Sequence, residues 1–78
     1  MKGDEFRRIA LLAIKEEARR KPGERIYVGS KSFTFEEVAE GLDKGDPFLI
    51  ENFFNPFLKR LKSSVLFRKQ VLRMLEVG

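Results

Sequence analysis

Positively charged side chains are concentrated near the C-terminal end of the chain, where they suit the binding of an anion. On a regular helix they divide into a strip of Lys62, Lys69 and Arg73 and a second group that points elsewhere. Such charges can neutralise the phosphates of a nucleic acid and give an affinity that falls with salt. The alternative is that these charges only make an otherwise apolar helix soluble. The six residues are Lys59, Arg60, Lys62, Arg68, Lys69 and Arg73.

Aromatic side chains are concentrated in a second stretch, residues 46–57, which holds four of the eight phenylalanines. Within it, Ile50, Phe53 and Phe54 have the i, i+3, i+4 spacing of side chains that dock a helix into a groove. The pattern resembles the short box by which replication and repair proteins dock onto sliding clamps, with Pro47 in the position of the glutamine of that box. The resemblance implies a protein-docking role for these three residues. The same spacing is also typical of a helix face buried in the core.

Catalysis is disfavoured by the residue types that the chain lacks. It contains no cysteine and no histidine, which removes a common nucleophile, the commonest general base and the commonest ligands of transition metals. Glu36, Glu40 and Asp43 follow one another along one face of a predicted helix. A straight row of this kind does not supply the roughly six converging oxygens that a hard cation needs. We therefore expect a protein that is not an enzyme and that holds no metal or other cofactor.

The charge is unevenly distributed along the 78 residues, whose formal net charge is +4. Residues 1–25 hold eight basic and five acidic residues (+3), residues 26–55 two and six (−4), and residues 56–78 six and one (+5). A basic C-terminal part can meet nucleic acid or another anionic surface, or it can pair with the acidic middle of its own chain or of a second copy.

The length allows one small domain, which we place over residues 1–78. A charged fraction of 36% without histidine, cysteine or tryptophan is typical of thermophile proteins. The apolar run at residues 9–14 is shorter than the hydrophobic region of a signal peptide and has charges on both sides. No stretch approaches the length of a transmembrane helix. We expect a cytoplasmic protein with no membrane partner.

Apolar periodicity predicts a first helix that Asp4 caps and that ends at the turn of residues 22–23. Two short apolar segments then predict a β-hairpin centred on residues 30–31. A hairpin of two strands is marginal in water, so its apolar face must rest on helices. The pairs that this register places opposite each other are Val28 with Phe33 and Ile26 with Phe35.

Thr34 and Glu37 have the spacing of a capping box, which predicts a second helix beginning at Phe35. Phe33 and Val38 add the apolar pair that often accompanies such a box. Gly45 has the position of a residue that ends the helix in a left-handed conformation.

Proline marks the beginning of two further helices. Asp46-Pro47 predicts a short third helix over about residues 47–54, and Asn55-Pro56 repeats the pattern. Because proline disfavours the helical conformation of the preceding residue, we predict a sharp corner at Asn55 and a new helix from about residue 56.

The last helix, residues 57–77, carries apolar residues on two sides. Either Ser63-Ser64 divides it and Ser64 caps a final helix, or it is continuous and packs its second apolar side on another molecule. The two sides consist of Leu58, Leu61, Val65, Leu72 and Leu75, and of Leu66, Phe67, Val71, Met74 and Val77.

The sequence predicts an α+β domain that is mainly α, in the order helix, β-hairpin, helix, short helix and a last helix that is undivided or divided near Ser63-Ser64. The function that we expect is a non-catalytic interaction module that contacts nucleic acid or a nucleoprotein complex through its basic C-terminal helix. The alternative is a protein-docking or self-assembling adaptor that uses the aromatic residues of 47–57 or the second apolar side of the last helix. A second copy of the chain is therefore among the expected partners.

Overall fold

A long N-terminal helix is the element on which most of the chain packs. In the computed structural model, which describes residues 3–77, this helix, α1, spans Gly3–Arg20. Acidic residues occupy its first turn and basic residues its last, which complements the helix dipole. The predicted apolar stripe is buried and consists of Phe6, Ile9, Ala10, Ala13 and Ile14.

The predicted hairpin is present, but the predicted register is wrong. Strands β1 (Arg25–Val28) and β2 (Lys31–Thr34) are antiparallel and place Val28 opposite Lys31. The two-residue turn is therefore Gly29-Ser30, in which Gly29 has a φ of 64°. A positive φ at the first central position is the geometry that favours glycine in a tight hairpin. The alternation of apolar residues does not distinguish the predicted register from the observed one, because both registers place the same residues on the apolar face.

The capping box is confirmed at the start of α2, which spans Phe35–Asp43. The Thr34 hydroxyl accepts a hydrogen bond from the Glu37 N–H at 3.1 Å, and the Glu37 carboxylate accepts one from the Thr34 N–H at 2.8 Å. At the other end Gly45 has a φ of 77°, as its predicted role requires. The Asp46 N–H reaches back to the Gly41 carbonyl at 2.8 Å, which completes a Schellman motif.

Residues 47–63 form a helical path without the predicted corner at Asn55. The path consists of α3 (Pro47–Leu49), one π turn (Ile50–Phe54) and α4 (Asn55–Ser63). Asn55 has helical angles, φ −62° and ψ −44°, and its N–H donates to the Ile50 carbonyl, five residues back. In an α-helix the ring of Pro56 would clash with the carbonyl four residues back. The wider π turn relieves that clash, so the chain passes through the proline without a corner.

Ser64 divides the last helix, as one of the two alternatives predicts. It has an extended conformation, φ −115° and ψ 108°, and its hydroxyl accepts a hydrogen bond from the Phe67 N–H at 3.1 Å. The final helix, α5, spans Val65–Val77. The division turns α5 relative to the continuous helix, so that Val71 is buried while Val65, expected on the inner side with Leu58 and Leu61, is exposed.

One apolar cluster receives side chains from every helix and from the π turn, and this arrangement confirms the α+β, mainly α fold class. The hairpin rests on it through Ile26 and Phe33, and the rings of Phe33 and Phe48 lie 6.2 Å apart. Across residues 3–77, no helix combines the length and the apolar character needed to cross a membrane. The buried members of the cluster are Phe6, Ile9, Ala10, Ala13, Ile14, Val38, Leu49, Phe54, Leu58, Leu61 and Val71.

Candidate nucleic-acid interface

Cations from two helices line a groove between the N-terminal half of α1 and α4. Arg7 follows the buried Phe6, while Lys59 and Lys62 follow the buried Leu58 and Leu61, so burial of these apolar neighbours fixes where the cations lie. The groove has a volume of about 480 Å³. All of its lining residues are basic, neutral polar or apolar: Arg7, Asn55, Leu58, Lys59, Lys62 and Ser63.

These three cations have no carboxylate partner among the described residues. Arg7, Lys59 and Lys62 are exposed, and within the described part of the chain none of them forms a salt bridge. Elsewhere Lys15 pairs with Asp43 at 3.5 Å, and the other salt bridges join lysines and arginines to glutamates three or four residues away in the chain. Within residues 3–77 no salt bridge joins these three cations to the acidic middle of the chain, so their charge is available to an anionic ligand.

A smaller apolar recess continues the groove along α1 and is bordered by the same two residues, Arg7 and Asn55. Its volume is about 230 Å³. The groove and the recess together make a furrow with a basic half and an apolar half. The apolar half is lined by Leu11, Leu42, Ile50 and Phe54.

Two of the six predicted nucleic-acid-binding residues have contacts within the fold. The Arg68 guanidinium donates to the Leu61 carbonyl at 3.0 Å and to the Lys62 carbonyl at 2.9 Å, and it lies 5.1 Å from the ring centre of Phe6. These bonds satisfy carbonyls that the end of α4 leaves open. The Arg60 guanidinium lies 4.1 Å from the ring centre of Phe67 and so joins α4 to α5.

Lys69 and Arg73 lie apart from Lys62, the third residue of the predicted strip. They border a different groove, the outer α5 groove, together with Leu66, Leu72 and Glu76. The strip presupposes a regular helix, and the division at Ser64 separates its two parts. Of the six, the structure places only Lys59 and Lys62 in the groove between α1 and α4, and it adds Arg7, which sequence reasoning missed. No local pattern marks Arg7, because its position depends on α1 lying beside α4.

The three predicted docking residues do not share one exposed face. Phe54 is buried, with 7% of its surface exposed, and Ile50 is half-buried in the apolar recess. Phe53 is half-buried on another side, where it lines an apolar groove of about 290 Å³ with Phe57 and Phe67. The π turn separates them, because its residues follow a wider spacing than the i, i+3, i+4 pattern assumes.

The acidic row on α2 is divided among separate partners. Glu40 accepts a hydrogen bond from the Lys44 ammonium at 2.8 Å, and this bond holds the pKa of the Glu40 carboxyl below its ordinary value. Asp43 pairs with Lys15, and Glu36 is exposed. Among residues 3–77 no three carboxylates gather where a metal ion could be held.

Comparison of the chain with protein-family models, with curated proteins and with solved structures finds no match.

Proposed function

We propose that this protein is a non-catalytic module that binds the sugar–phosphate backbone of a nucleic acid in the groove between α1 and α4. One observation supports the proposal: Arg7, Lys59 and Lys62 converge from two helices on a groove that no carboxylate of the described residues lines. The guanidinium of Arg7 has the fork geometry that suits phosphate oxygens, and the two ammonium groups supply mobile point charges.

The three cations of the groove form the proposed footprint on the nucleic acid, and their number determines the salt dependence that we expect. Each neutralised phosphate contributes about 0.9 to the slope of log affinity against log salt on duplex DNA and about 0.7 on single strands. Three cations therefore give a slope of about 2 to 3. Arg60 and Arg68 are occupied by Phe67 and by the end of α4, so we leave them out of the footprint.

Fluorescence anisotropy with a labelled oligonucleotide, titrated at several salt concentrations, tests the proposal. The double variant Lys59→Gln/Lys62→Gln is expected to weaken binding and to lower the salt slope by about 1.5 to 2. The matched control Lys69→Gln/Arg73→Gln removes the same charge from the outer side of α5 and is expected to retain most of the affinity. The proposal is overturned if the unmodified protein fails to bind at low salt, or if the two double variants lose affinity equally.

We propose self-association as a second candidate function, with a second copy of the chain packed on the outer side of α5. The observation that favours it is the exposure of Leu66, 69% of whose surface is open. Leu66 lies beside Leu72 in the outer α5 groove, which carries charges of both signs. Lys69 and Glu76 lie two turns apart on this side. An antiparallel α5 pair with its two-fold axis between residues 72 and 73 would place each Lys69 opposite Glu76 of the second copy.

Light scattering over a range of protein concentrations tests the second candidate. This candidate predicts the mass of a dimer for the unmodified protein and a lower mass for Glu76→Lys, which would place two ammonium groups opposite each other. The charge-exchanged variant Lys69→Glu/Glu76→Lys is expected to restore the dimer. A monomer at every concentration, or a Glu76→Lys protein that remains dimeric, would exclude this arrangement.

A further inference from the structure

The basic groove does not end at its cations, because the apolar recess continues it. Arg7 and Asn55 line both, so that a ligand lying along α1 meets positive charge and apolar surface in one continuous furrow. Resting on the proposed function, we infer that the furrow selects single-stranded nucleic acid, with phosphates on Arg7, Lys59 and Lys62 and one unpaired base in the apolar recess.

The walls of the recess suit a base better than they suit a phosphate. Leu11, Leu42 and Ile50 are half-buried and present aliphatic carbon, and Phe54 forms the buried aromatic part of the wall. A base has two apolar faces and polar edges, so it gains from leaving water on its faces while its edges still need partners. The exposed amide of Asn55, at the border of the two halves, offers both donors and an acceptor to such an edge.

A duplex cannot use both halves of the furrow. Its phosphates are accessible, but its bases are stacked inside, and a base would have to leave the stack at a cost before it entered the recess. An unpaired strand has no such cost. Electrostatics alone favours the opposite order, since a duplex carries about one charge per 1.7 Å of its length and a single strand fewer. A preference for the single strand therefore reports on the recess and not on the cations.

An abasic strand separates the contribution of the recess from that of the backbone. We would measure the affinity of the unmodified protein for a labelled single strand, for its duplex and for an abasic strand of the same length. The single strand is expected to bind about 5- to 100-fold more tightly than the abasic strand, as one base placed against apolar or aromatic side chains typically gives. It is also expected to bind more tightly than the duplex. Asn55→Ala is expected to reduce the preference over the abasic strand without changing the salt slope.

The outcomes distinguish this inference from the function on which it rests. Equal affinity for the single strand and the abasic strand, or tighter binding of the duplex, with the salt slope still dependent on Lys59 and Lys62, would overturn the inference and leave the proposed function standing. Failure of all three nucleic acids to bind overturns both. Poly-glutamate that competes as well as the single strand would assign the furrow to acidic peptides and would likewise overturn the inference.

Discussion

Arg68 joins three elements through one side chain. Its guanidinium donates to two carbonyls in the last turn of α4 from a position in α5, and it lies over the ring of Phe6 in α1. A sequence identifies such a residue as a cation but does not reveal whether its donors are free. The sequence therefore places Arg68 in the same set of six candidate cations as Lys59 and Lys62, although its donors are used within the fold.

Replacing Arg68 is expected to lower stability more than nucleic-acid affinity. Arg68→Met keeps the apolar stem but removes both hydrogen bonds, and we expect a loss of about 1–3 kcal/mol in the free energy of unfolding. Arg68→Lys should recover only part of it, because one ammonium does not reproduce the planar fork. Urea denaturation measures the change, and the exposed Arg73→Met is the control, expected within about 0.5 kcal/mol of the unmodified protein. Equal midpoints for the two methionine variants would contradict the role assigned to Arg68.

Glu16 provides a pH dependence whose sign follows from its partners. Hydrogen bonds from Arg19 and, to a lesser extent, Arg20 hold the pKa of the Glu16 carboxyl below its ordinary value of 4.5. A carboxyl whose pKa is lower in the folded state stabilises the fold above its unfolded pKa, and this stabilisation disappears as the pH falls through the folded pKa. The effect is small because the two arginines are solvent-accessible.

We therefore expect Glu16→Gln to be less stable than the unmodified protein near pH 7, with the difference shrinking as the pH falls below 4.5. Urea midpoints measured at a series of pH values test this. Glu51→Gln, which removes an exposed carboxylate from the π turn that forms no salt bridge among the described residues, serves as the control for the loss of one negative charge. A difference that grows in acid would mean that the sign is wrong.

The contact between α2 and α3 depends on a missing side chain. A Cβ added at Gly41 would overlap the Cδ1 atom of Leu49, which is itself buried. Alanine favours a helix over glycine by about 1 kcal/mol, so propensity alone predicts that Gly41→Ala stabilises the protein. We expect the opposite, because the buried leucine has little room to move.

Thermal or urea denaturation of Gly41→Ala distinguishes the two effects, and Gly23→Ala is the matched control. Gly23 has open space around the position of a Cβ and no positive φ, so its replacement should be neutral or slightly stabilising. A Gly41→Ala protein more stable than the unmodified one would show that α2 and α3 can separate without cost.

Elements whose ends depend on adjacent residues were predictable, and elements that depend on packing were not. The capping box at Thr34 and the ending at Gly45 each follow from side chains within a few residues, and each is present, as is the division at Ser64, which was one of two alternatives. The hairpin register depended on which of two adjacent turns formed. The passage of the helix through Pro56 depended on a π turn, which no local rule for proline predicts.

On the scale of the whole molecule, the fold brings together charges that are far apart in the sequence. Arg7 belongs to the N-terminal basic part and Lys59 and Lys62 to the C-terminal one, and the groove joins them only because α1 packs beside α4. The division of the last helix at Ser64 places Lys69 and Arg73 on another side. Four of the six cations predicted from the sequence thus have no place in the proposed footprint, because Lys69 and Arg73 lie on another side and Arg60 and Arg68 make contacts within the fold.

A chain of 78 residues with one core has little stability to lose, and this determines how its surfaces can be tested. Leu61 is fully buried in that core, and Leu61→Ala is expected to cost about 2–5 kcal/mol. The free energy of unfolding of a domain this size is about 4–12 kcal/mol, so the loss is a large part of the total. Loss of binding by a variant at Phe54 or Leu58 would therefore report on unfolding as well as on recognition.

Leu66→Ala is the matched control, since it removes the same atoms from a side chain that is 69% exposed. We expect its urea midpoint to stay close to that of the unmodified protein while that of Leu61→Ala falls sharply, because only the buried side chain leaves a cavity. Suppose instead that the urea midpoint of Leu66→Ala fell as far below that of the unmodified protein as the midpoint of Leu61→Ala, and that this difference grew with protein concentration. The outer side of α5 would then be covered by a second copy. That result would favour self-association, since stability that rises with concentration is the signature of a folded oligomer.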